Sequence, residues 1–210
     1  MNKRYIQKHI KLVNNTVFIN LEKIFLVNKN ELFSNFAKSV YKNYEIKYRK
    51  FYKMDAWSKL GFLSAEILLQ DINLDEFSPE DIAIICANSS SSLHTDKNYQ
   101  KTISEIPSPS VFVYTLPNIV TGEICIKNNI KGESLFFIQE KFDIQFIYKY
   151  VDSLFENTST KLCITGWIEL NANEEYQADL YLISTSKTDL EFNETNLNKT
   201  HNSWMNYSKT

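Results

Sequence analysis

The sequence predicts an α/β domain in which strands and amphipathic helices take turns along one chain. Three observations carry this. Ile82 to Ala87 and Ser134 to Ile138 are short apolar runs without alternation, the pattern of strands covered on both faces. Helical spacings of three and four mark Met54 to Leu69, Ser110 to Asn129 and Asp143 to Glu156. Finally, Lys161 to Leu170 and the alternating Tyr176 to Ser184 pair as a hairpin.

The remaining elements follow in order. Tyr5 to Val13 and Thr16 to Asn20 read as strands joined at Asn14-Asn15, a good turn pair. Glu31 to Tyr44 reads as a helix with Leu32, Phe33, Phe36, Val40 and Tyr41 on one side. Lys42, Lys47, Arg49, Lys50 and Lys53 then alternate with Tyr44, Tyr48, Phe51 and Tyr52. Such a stretch serves single-stranded nucleic acid, an acidic protein, or simply a solvated face with aromatic anchors. Asp55 can cap the helix that follows.

Asn88 to Ser92 is a serine-rich loop between strand and helix. It lacks the G-x-S-x-G elbow, so a capping role competes with a nucleophile at Ser89 to Ser92. Pro117 should kink or restart the helix after Ser110. Asn128, Asn129 and Gly132 supply its stop. Asp143 sits where a negative charge suits the start of the next helix. Ser186 to Thr210 is polar and reads as a tail beyond a 1–185 domain, ordered only if Trp204 or Met205 docks.

Composition narrows the function. The 43% apolar and 14% aromatic content excludes wholesale disorder. A net charge of −2 makes no case for nucleic acid. Only 4 glycines occur, in neither a G-x-G-x-x-G nor a G-x-x-x-x-G-K pattern. Cys86, Cys125 and Cys163 are far apart and read as buried thiols, and no histidine has a partner at ligand spacing. No metal and no cofactor are therefore expected. The opening MNKRYIQKHIK lacks an apolar core, and no run reaches the roughly 18 apolar residues of a membrane span. A cytoplasmic protein without a membrane partner is expected.

Asn118, Gly122 and Lys131-Gly132, followed by an apolar strand, resemble the run that leads to the nucleophilic cysteine of β-ketoacyl synthases. Met54-Asp55 with its helix, Asp96 with Tyr99-Gln100, and Gly166-Trp167 with Glu169 resemble further parts of that family's amino-terminal half. The resemblance implies half of a thiolase fold, a mixed five-stranded sheet sandwiched by helices. Counted from Gly132, Lys141 stands where the family has cysteine. The family's second half and its two catalytic histidines have no counterpart here. A lysine there is charged at its ordinary pKa near 10.4 and does not pass an acyl chain on.

The resemblance implies a non-catalytic partner, similar to the cysteine-less chain-length factors of type II polyketide systems. Half-length relatives of aryl polyene and flexirubin-type pathways are similar. A full-length ketosynthase would be its heterodimeric mate, met through the strand Ser134 to Ile138. Phe112, Tyr114, Phe136, Phe137 and Phe142 are candidates for the interface or acyl tunnel, with ordinary core packing as their other reading. Lys42, Lys47, Arg49 and Lys50 are candidates for a face that meets acyl carrier protein. A serine-dependent acyltransferase or hydrolase, or a carrier-protein adaptor, are the competing functions.

Overall fold

The computed structural model describes residues 3–26, 31–103 and 106–203. In order it runs β1 (Tyr5–Val13), β2 (Thr16–Ile19), β3 (Glu22–Leu26), α1 (Phe33–Asn43), α2 (Ala56–Leu69), β4 (Ile82–Asn88) and α3 (Leu93–Ile103). Then come α4 (Pro109–Phe112), α5 (Ile119–Asn128), β5 (Ser134–Ile138), α6 (Ile144–Asn157), β6 (Leu162–Leu170), β7 (Tyr176–Ser184) and α7 (Glu194–Ser203). The strands form one sheet in the order β3-β2-β1-β7-β6-β4-β5. β4 is parallel to both β5 and β6, and the other pairings are antiparallel.

The sheet has seven strands, not the expected five. The excess is the β2–β3 hairpin, which extends the sheet beyond β1. Asn14 and Asn15 make the first turn with positive φ, as their chemistry favours. Asn20 and Leu21 make the second, with Leu21 at φ 74°. A leucine is no turn signal, so nothing in the pattern announces β3.

Side chains of the sheet alternate between two cores. Ile82, Ile84, Cys86, Ile164 and Leu180 pack with α1, α2 and α5. Ala83, Ile85, Cys163, Tyr181 and Ile183 pack with α6, alongside Phe192 and Leu197 of the last segment. Trp57 is buried and donates its Nε1–H to the Ile168 carbonyl at 2.8 Å, tying α2 to β6. A bulge between Ile6 and Lys8 changes the parity of β1. Ile6 and, past the bulge, His9 and Lys11 therefore face the α6–α7 side.

Two expected elements change. The helix expected over Ser110 to Asn129 is broken into α4, a 3-10 turn at Val113–Thr115, and α5. Leu116 is extended, at ψ 126°, because the residue before Pro117 is barred from helical geometry. Within the polar stretch expected as a tail, Glu194–Ser203 forms α7, held by buried Leu197 and Phe192. Trp204 and Met205 lie outside the described residues. The expected stop after α5 is present: Asn129 is left-handed at φ 53°. Gly132 passes so close to the Ile82 carbonyl that an added Cβ would collide with it.

Candidate functional site

The turn from β5 into α6 holds the position at which the sequence resemblance expects a nucleophile. Gln139 N–H still bonds the Asn88 carbonyl at 2.8 Å, so the turn begins at the end of the parallel ladder. Lys141 is exposed in it. The Asp143 carboxylate then accepts the Phe146 N–H at 2.9 Å and caps α6. Cysteine chemistry is not available nearby. Burial pushes the Cys86 and Cys163 thiols well up, and it also raises that of Cys125 on α5.

The five aromatic candidates do not form one surface. Phe136 and Phe137 point to opposite faces of β5, as the strand period requires. Phe136 meets Trp57 edge-on at 5.0 Å on the α2 side. Phe137 meets Phe146 and Tyr150 at 4.9 and 5.3 Å on the α6 side. Phe142 is half-buried against Trp167 and His201. Phe112 is 52% exposed beside Tyr99. Tyr114 is buried, and its hydroxyl donates to Glu123 at 3.1 Å. Burial and that carboxylate push its phenol far up.

Edge geometry singles out β5. Among the described residues it pairs with β4 alone. Glu133 O accepts from Ile84 N–H and Gln139 N–H reaches Asn88 O. Alternation then turns the N–H and C=O groups of Ser134, Phe136 and Ile138 outward. Charge, proline and bulge, the devices that protect an edge, are missing from SLFFI. The opposite edge, β3, carries Glu22 and Lys23 and a bulge against β2.

Lys42, Lys47 and Arg49 are exposed at the end of α1 and after it. Lys50 differs: its ammonium lies 2.8 Å from buried Glu123. In the serine loop, Ser89 donates its N–H and hydroxyl to Glu169, at 2.8 and 2.7 Å. Ser92 donates to the Thr115 carbonyl at 2.7 Å and contacts Asp96. Among the described residues no hydroxyl of Ser89 to Ser92 meets a histidine. His94 approaches Glu174 instead, at 3.6 Å.

Sequence reasoning missed a second cluster. Asp179 on β7 has no exposed surface. His9 Nε2 makes a short bond to one of its oxygens, and His201 Nδ1 lies 2.6 Å from the other. Lys11 Nζ is 3.6 Å away, and Tyr181 stacks on His9 at 4.4 Å. Burial alone would raise the Asp179 pKa. The charges and hydrogen bonds of His9, His201 and Lys11 outweigh burial and hold it well below the carboxylate range. One signal was legible: Asp179 is a lone charge inside the apolar strand β7. Among the described residues no cluster of three or more ligating side chains could hold a metal ion. Nor is any described helix long and apolar enough to cross a membrane.

No protein-family model matches the sequence, and no curated protein does either. Solved structures match the fold. An ishigamide ketosynthase/chain length factor structure superposes with TM-score 0.62 at 12% identity, covering 90% of this chain and 64% of that one. A type II polyketide synthase acyl-carrier protein in complex with its ketosynthase bound to the hexaketide gives 0.61 at 11%, covering 88% and 62%. A ketosynthase in complex with its chain length factor from Xenorhabdus doucetiae gives 0.56 at 10%, covering 88% and 79%. The chain thus spans less than two thirds of the first two, and at these identities the likeness is one of fold: thiolase-like α/β.

Proposed function

We propose that this chain is a ketosynthase-like partner subunit, similar in role to a chain-length factor. It pairs with a full-length ketosynthase and shapes that enzyme's acyl tunnel in polyketide or fatty-acid-type synthesis, with the aryl polyene and flexirubin-type systems as the specific class. One observation carries the reading: an unprotected apolar edge strand leads directly into a turn that holds an exposed lysine where the resemblance expects a cysteine. Such an edge calls for a strand from another protein. A turn without a thiolate lacks the cysteine nucleophile on which the condensing reaction depends. That solved relatives of the fold are complexes of ketosynthases with chain length factors and carrier protein supports the choice of partners.

Tyr114 and Phe136, in the α2–α5 core, are the residues assigned to the tunnel wall. Phe137, Phe142 and Phe112 are assigned to the interface around the β5 edge. Acyl carrier protein meets Lys42, Lys47 and Arg49.

The test is co-expression with a full-length ketosynthase, read by native mass spectrometry. A one-to-one heterodimer is expected, and Ile138→Lys, which puts a charge on the open edge, should dissociate it. A chain that stays monomeric beside every ketosynthase offered, or a dimer indifferent to Ile138→Lys, overturns the reading. With a dimer in hand, Tyr114→Ala should lengthen the product.

A further inference from the structure

The pairing reading leaves α7 without a role, yet α7 carries His201 to the turn between β5 and α6. Its Nδ1 is held by Asp179 at 2.6 Å. Its side chain is 19% exposed, and Nε2 takes no hydrogen bond among the described residues. The ring lies 5.1 Å from that of Phe142, the residue after Lys141, and Phe142 lies 5.9 Å from Trp167. A carboxylate on Nδ1 assigns the ring proton to that nitrogen and leaves the Nε2 lone pair outward. His9 and Lys11 engage the same carboxylate, so Asp179 is fixed in place.

We propose that His201, oriented by Asp179, is a general base beside the start of α6 that drives hydrolysis of an acyl thioester lying against Phe142. The substrate class rests on the function proposed above; the base and its orientation do not. Nε2 takes a proton from water as the water oxygen attacks the thioester carbonyl carbon. A C–O bond forms and the C–S bond breaks. The sulfur leaves with the proton held on Nε2, and the products are a carboxylic acid and a thiol. Asp179 is a positioning residue, and His201 is the group that meets the water.

The experiment incubates the full chain alone with an acyl-N-acetylcysteamine thioester and follows thiol release. Turnover above buffer is expected. His201→Ala should lower it on the order of 100-fold, the usual worth of a general base. Free imidazole should restore part of that loss. His201→Gln, which keeps a donor toward Asp179, should fold and lose the same activity without rescue. His94→Gln should change nothing. Wild-type release no faster than buffer, or release untouched by His201→Gln, overturns the proposal. Because His201→Gln leaves the β5 edge intact, heterodimer formation is scored separately, and the two readings fail by different measurements.

Discussion

A carboxylate without exposed surface persists in an apolar strand only when its charge is met from several sides. Asp179 is met by two histidines and a lysine drawn from β1 and α7. Its pKa is depressed in the folded chain, so its stabilisation is complete above the ordinary value of about 3.9 and fades as pH falls below it. Asp179→Asn should therefore cost about 3–5 kcal/mol at neutral pH, the scale for breaking a buried charge pair. The gap from wild type should narrow in urea melts taken below about pH 4. A gap that stays constant down to pH 3 would mean that the charge contributes nothing beyond shape.

Among elements, β6 and the α4–α5 break show backbone rules overriding pattern. Gly166 on β6 has φ 146°, and an added Cβ would collide with the Asp179 carbonyl of β7. Gly122 on α5 has nothing within 4 Å of the corresponding position. The two should respond oppositely to alanine. Gly166→Ala should lose at least about 1–3 kcal/mol from backbone strain. Gly122→Ala should gain up to about 1 kcal/mol in helix propensity. Thermal melts read both, and equal shifts would contradict the assigned geometry. The helical pattern of Ser110 to Asn129 was legible, but Leu116-Pro117 cut it. The proline rule located the break, and the structure added that Leu116 itself turns extended.

At the scale of the whole molecule, the sheet is lopsided. β3 ends it with charge and a bulge, and β5 ends it bare. The α6 layer has an outer face of Gln145, Lys149, Ser153 and Glu156, which suits water. The basic face divides by partner: Lys42, Lys47 and Arg49 are exposed, and Lys50 lies against Glu123. Reversing the first three to Glu should weaken acyl carrier protein binding about tenfold at low salt, and the difference should vanish in 0.5 M salt. Lys50→Glu should instead lower the melting temperature, because it leaves Glu123 facing a like charge. Calorimetry with a carrier protein, beside melts of the same variants, distinguishes the two. Unchanged binding by the triple variant removes carrier protein from the proposal.

Much of the architecture was readable from the chain because apolar periodicity and turn chemistry are local. β4, β5, α2, α6 and the β6–β7 hairpin follow from side-chain pattern, capping by Asp55 and Asp143, and the Asn129 stop. The turn between β5 and α6 that holds Lys141 was legible in the same way, from the apolar run of β5 and the Asp143 cap. Folding alone decided the rest. Phe136 and Phe137 share a strand but serve opposite cores, because β5 is covered on both faces. A bulge in β1, invisible to composition, turns His9 and Lys11 toward Asp179. The polar final segment becomes a helix only because Phe192 and Leu197 find an apolar floor on the α6 side. Residues 170 and 22 positions apart meet on one carboxylate, and no periodicity along a sequence encodes a contact of that range.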